Sequence, residues 1–222
     1  MSSSTPMPAL NVRRWRSRRS AAVAGILFAV LLLTAMTVIR SALGDGDPRT
    51  LHLDTDRRGL IRVGLNLVPF AGIAFLWFIG VVRDQLGQVE DRLFSTVFLG
   101  SGLLFLAMLF EGAVNTTTLI TMLGRPRVDN DLWLYGRGAT QTIISVYAMR
   151  MAAVFTLSVS TVGLRTGAVP RWVSYIGYAA ALVLLVAAGE HHWAQLVFPV
   201  WVLLLSTVIL LTRPAPAPAP VP

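Results

Sequence analysis

Residues Leu93–Val114 read LFSTVFLGSGLLFLAMLFEGAV, a run with a single charge, Glu111, close to its end. A helix rises 1.5 Å per residue, so about 20 mostly apolar residues cross the hydrocarbon of a bilayer. Five more stretches have the same character: Ala21–Ile39, Leu60–Val82, Ala139–Gly163, Val173–Gly189 and Trp193–Leu211. The last two are separated only by Glu190-His191-His192, a polar break that predicts a tight hairpin. Runs this long exceed the roughly 10-residue alternating strands of a membrane barrel. The expected fold is therefore all-α, a polytopic membrane protein built as a bundle of six transmembrane helices. Those helices (21–39, 60–82, 93–114, 139–163, 173–189, 193–211) fill a domain over 21–212, between a basic tail at 1–20 and a Pro/Ala-rich tail at 213–222 that predicts disorder.

Composition agrees. Of 222 residues, 55% are hydrophobic and 14% charged, against about 25% charged in a soluble domain. All 19 basic residues are arginine, facing 11 acids, for a net charge of +8. A nucleic-acid footprint would need a basic soluble face, which this hydrophobicity excludes. The absence of cysteine removes disulfides, thiolate metal sites and cysteine nucleophiles. Arg13, Arg14, Arg16, Arg18 and Arg19 stand just ahead of the first apolar run and predict a cytoplasmic N-terminus. Six crossings then return the C-terminus to the cytoplasm. On that topology ten arginines and three acids lie inside, and eight arginines and seven acids outside. The inner arginines are placed to meet anionic lipid of the bilayer. Arg40 stands where a signal peptide would need small residues for cleavage, so the first helix reads as a retained anchor.

Glu111 and Arg150 are the charges counted within the membrane, every other arginine and acid falling to the inner or the outer side. Each costs roughly 2.5–3.5 kcal/mol on insertion scales, so each calls for a partner or a cavity. Side chains lean toward a helix's N-terminus, which tips Glu111 inward and Arg150 outward. The pair reads either as an ion pair locking the third helix to the fourth or as part of a binding or gating site. Other polar groups gather in the outer half: Asn66, Asn115, Gln141 and Tyr147, with Glu190, His191 and His192 at the outer turn. Pro69 and Pro199 each free a carbonyl four residues back, at Leu65 and Gln195, and predict kinks. Together these residues predict a cavity open to the outside. Adjacent histidines point about 100° apart and do not make a helical zinc pair, so neither metal nor other cofactor is expected.

Small residues at Ala21, Gly25 and Ala29, at Gly177 and Ala181, and at Gly100–Gly102 predict close packing within the chain or between copies. Trp133, Tyr135, Trp172 and Trp193 read as an interfacial aromatic belt.

Three stretches, Leu65–Gly87 (LNLVPFAGIAFLWFIGVVRDQLG), Thr96–Ala113 (TVFLGSGLLFLAMLFEGA) and Leu164–Tyr178 (LRTGAVPRWVSYIGY), resemble uncharacterised multi-pass membrane proteins of GC-rich bacteria. The resemblance spans roughly residues 60–190. It implies the six-helix fold and a bacterial cytoplasmic (inner) membrane, and it carries no activity. The sequence therefore points first to a non-enzymatic membrane protein whose outer polar cluster binds a small solute, a lipid headgroup or a partner subunit. A small carrier or channel lined by Glu111 and Arg150 is the alternative, and requires a water-filled path past Arg150. An outer-leaflet enzyme using Glu111, His191 and His192 is the third. A membrane protein partner or a second copy of the chain fits the small-residue stripes.

Overall fold

A computed structural model describes residues 9–43, 54–86, 92–123, 130–167 and 169–212. The chain forms α1 (Ala9–Leu43), α2 (Thr55–Leu86), α3 (Arg92–Met122), α4 (Asn130–Thr166), α5 (Arg171–Val186) and α6 (Val197–Leu211). A 3-10 turn, His192–Leu196, leads into α6, and a π-helical stretch, Ile143–Ala148, lies inside α4. No strand occurs among the described residues. Five stretches are long and apolar enough to cross a membrane: the helices α1 to α4, and Trp193–Leu211, which joins the 3-10 turn to α6. The 16 residues of α5 give it a length of about 24 Å. Gly167, at φ 65°, ends α4 in the left-handed region that suits glycine, and Pro170 stands just before α5.

The helices outrun the expected spans. α3 continues to Met122 and α4 begins at Asn130, so most of the loop expected over 115–138 is helical. Its threonines allow this. The hydroxyls of Thr116, Thr117, Thr118 and Thr121 each donate to the carbonyl four residues back, at 2.7–3.0 Å. That bond satisfies a polar side chain without unwinding the helix. α1 likewise begins at Ala9, inside the basic tail. The tail at 213–222 and two acids of the first loop, Asp45 and Asp47, lie outside the described residues.

Glycine contacts set the register of the bundle. A Cβ at Gly64 would meet Ile39, and one at Gly25 would meet Phe78, so α1 and α2 run antiparallel. Gly72 against Phe110 and Gly102 against Ile79 do the same for α2 and α3. Gly112 against Ile144 and Gly102 against Phe155 align α3 with α4, and Gly163 with Ser174 and Gly177 with Ser160 align α4 with α5. α5 packs on α6, and α6 returns to α1 through Ser206 at Gly25. The six helices form a closed antiparallel ring. We call distal the end where α1 meets α2, α3 meets α4 and α5 meets α6.

Two apolar clusters hold the ring together. The larger contains seven buried phenylalanines, Phe28, Phe75, Phe78, Phe98, Phe105, Phe155 and Phe198, drawn from five helices. Their rings meet tilted, stacked and edge-on, with centroids as close as 4.6 Å for Phe28–Phe75 and 4.8 Å for Phe105–Phe198, within the range aromatic pairs favour. The smaller lies distally: Ala42, Ile61, Leu65, Leu119, Ile120, Leu123 and Trp133.

Several expectations change here. The stripe Ala21, Gly25, Ala29 is buried against α2 and α6, which makes it a packing face within the chain. Trp133 is only 3% exposed and belongs to the distal core, so it leaves the aromatic belt; Tyr135, Trp172 and Trp193 remain exposed. Pro199 is the third residue of α6, in the first turn, where its missing N–H breaks no helical bond. Of the two, Pro69 alone lies in a helix interior.

Candidate ligand-binding site

A cavity of about 360 Å³ lies between the two apolar clusters. Its deepest lining residues sit one or two turns above the phenylalanine layer: Leu32 follows Phe28 by four residues, Leu109 follows Phe105 by four, and Val68 precedes Phe75 by seven. Ala35, Met36, Gly112 and Ile144 form the walls, and Leu119, Ile120 and Trp133 close the distal side. Six polar side chains, Arg40, Thr116, Arg137, Thr140, Gln141 and Gln195, are grouped with this apolar lining. Arg137 and Gln141 are exposed, so the cavity reaches the surface there.

The polar groups are wired in one direction. Arg40, on the last turn of α1, can only donate, and its Nη2 donates to Gln195 Oε1 at 2.9 Å. That bond fixes the Gln195 amide, whose Nε2 donates to Ser145 Oγ. Gln141 Nε2 donates to the same oxygen at 2.7 Å. Both lone pairs of Ser145 are thus engaged by amides. The network ties α1 to the turn before α6 and to the π segment of α4. Ser145 and Gln195 are 1% and 5% exposed, so each of these bonds is made in a poorly solvated place.

The π segment follows from this packing. Its wider turn carries Ile144 to the wall and Ser145 to the network. A Cβ at position 112 would approach Ile144 Cδ1 to 2.6 Å, and Gly112 lets α3 lie against that turn. π-helical turns are frequent at functional sites.

Donors dominate the polar pole. The hydroxyls of Thr116 and Thr140, which also line the cavity, give their protons to the carbonyls of Gly112 and Gly136 at 2.7 and 2.9 Å. Donation to an occupant falls to guanidinium and amide N–H groups. Such an arrangement accepts an anion, with arginine matching carboxylate or phosphate in a two-bond fork. The opposite pole accepts hydrocarbon.

Of the residues singled out in the sequence, Gln141 lines this cavity. Asn66 and Tyr147 are exposed on α2 and α4, Asn115 is half-buried on α3, and Glu190 and His191 are exposed at the turn before α6. The His191 ring lies 6.1 Å from that of Trp193. The side chain of His192 lies outside the described residues. No group of three potential metal ligands occurs among the described residues.

Glu111 and Arg150 are not joined. No ion pair connects them, both are exposed on the outside of the bundle, and neither lines the cavity. The reason is rotational. Gly112 faces α4, and a helix turns about 100° per residue, so Glu111 points elsewhere. On α4, Met149 is buried and Arg150 turns outward. The register places Glu111 level with about residue 145, which leaves Arg150 roughly five residues, about 7 Å, deeper.

Arg40, Arg137 and Gln195 are the site residues that sequence reasoning misses. The sequence puts Arg40 and Arg137 in loops and offers Gln195 only for its carbonyl. One signal was present: of four glutamines, only Gln141 and Gln195 stand in or beside apolar runs, both in the outer half of the expected topology.

Comparison with family models, with curated proteins and with solved structures finds no match to this chain.

Proposed function

We propose that the protein is a six-span integral membrane protein of a bacterial cytoplasmic membrane, with both termini in the cytoplasm. In this reading it is a non-enzymatic binding protein for an anionic amphiphile, held in the distal cavity. One observation carries the reading: a single cavity of about 360 Å³ combines an apolar floor with two arginines and two glutamines. Its volume lies in the usual range for small-molecule sites. Lipid tails are as apolar as the pocket, so a hydrocarbon chain gains little by leaving the bilayer. Selectivity then rests on the headgroup, and the guanidinium groups favour a carboxylate or phosphate. The arginine-based topology puts this cavity in the outer leaflet half. A carrier would need a path beyond Arg150, and the phenylalanine layer supports a closed floor instead.

The test is equilibrium binding of radiolabelled palmitate and lysophosphatidic acid to the protein in nanodiscs, with monoacylglycerol as the neutral control. Both anions are expected to bind, the neutral lipid at least tenfold more weakly. Arg40→Gln with Arg137→Gln is expected to remove that preference by on the order of tenfold or more. Equal binding of neutral and anionic probes, or a double variant indistinguishable from the parent, overturns the reading.

A further inference from the structure

Glu111 and Arg150 sit on the exposed faces of α3 and α4, helices that pack side by side. Both helices are long and apolar enough to cross a membrane, so these two charges stand on a surface otherwise suited to lipid. Neither makes an ion pair or hydrogen bond within the described chain. Gly112 and Ile144 meet in the α3–α4 seam, and Glu111 and Arg150 both lie exposed outside it.

We propose that this face is the interface for a second copy of the chain, joined by two reciprocal pairs, Glu111 of each copy to Arg150 of the other. The patch is self-complementary. One helix carries the negative charge and its neighbour the positive, and a two-fold axis along the membrane normal sets α3 of one copy on α4 of the next. The depths fit as well. Arg150 lies about 7 Å below Glu111. The two helices run in opposite directions, so the Glu111 side chain leans toward the level of Arg150 and the Arg150 side chain toward that of Glu111. A long guanidinium side chain spans the remainder. An unrelated partner would have to offer both charges at matched depths, whereas a second copy does so by symmetry. This inference stands apart from the cavity, to which neither residue contributes.

Charge exchange between copies tests it. Glu111→Arg places two arginines opposite each other in a homodimer, and Arg150→Glu places two glutamates. Each variant alone is expected to lose dimer by on the order of tenfold or more. Co-expressed with different tags, the two restore both pairs and are expected to purify as a heterodimer. The chain has no cysteine, so one added at the N-terminus gives a single dye per copy, and stepwise bleaching in vesicles counts copies directly. Two-step bleaching of the unaltered protein, loss in each single variant and recovery in the mixture support the interface. One-step bleaching of the unaltered protein, or single variants as dimeric as the parent, overturns it. So does failure of the mixture to recover when both variants retain the parent's melting profile. Should either reversed variant fail to fold, Glu111→Gln and Arg150→Gln replace them. Their dimer fraction must fall for the interface to stand, and an unchanged fraction overturns it.

Discussion

Below Leu32, Val68 and Leu109 seven phenylalanine rings fill the bundle; above them the same helices leave about 360 Å³ open and group two arginines and two glutamines around it. The lower region closes large rings on one another, and its buried Thr156 returns its hydroxyl to the Ala152 carbonyl of the same helix at 2.8 Å. The upper region does the opposite. A dry void forfeits roughly 24 cal/mol per Å³ of packing, and buried amides cost more unless each finds a partner. An occupant would recover those contacts, and the N–H donors around the cavity suit an acceptor group.

The contrast can be broken most forcefully from below. Phe75 touches Phe28, Phe78, Phe105, Phe155 and Phe198. Phe75→Ala is expected to cost about 3–5 kcal/mol, read as unfolding in a mixed-micelle denaturant titration. A loss under about 1 kcal/mol would mean that the layer is loosely packed. Ser145→Ala is the corresponding change above. It removes the acceptor of the buried Gln195 amide, and the expected loss is about 1–3 kcal/mol together with weaker capture of palmitate. Unchanged stability and unchanged capture would sever the network from the cavity. The smallest effect sharpens the comparison at its edge. Pro199 occupies a first turn, so Pro199→Ala is expected to shift stability by less than about 0.5 kcal/mol, and a larger loss would show that the turn before α6 depends on the proline.

The helices, their order and the polar character of the distal half were legible in the sequence, because length and hydropathy are one-dimensional properties. Rotation was not. A helix apolar on every side gives no stripe to say which face points inward. Glu111 and Arg150 therefore read by depth as one seam, while Gly112 and Ile144 occupy it. Helix ends misled for a related reason. Arg40 lies one residue beyond the apolar run but three before the end of α1, and those few residues carry it into the site. Gln195 reaches Ser145 across fifty residues of sequence, through a π turn whose need arises only once α3 packs against it.

Native mass spectrometry of the protein extracted gently from its own membranes tests the central claim most directly. The distal cavity is expected to retain an acidic lipid or fatty acid, seen as a discrete added mass on the unaltered chain and lost from the Arg40→Gln, Arg137→Gln variant. An unaltered chain with no adduct, with neutral lipid alone, or with the same adduct as the double variant would contradict it.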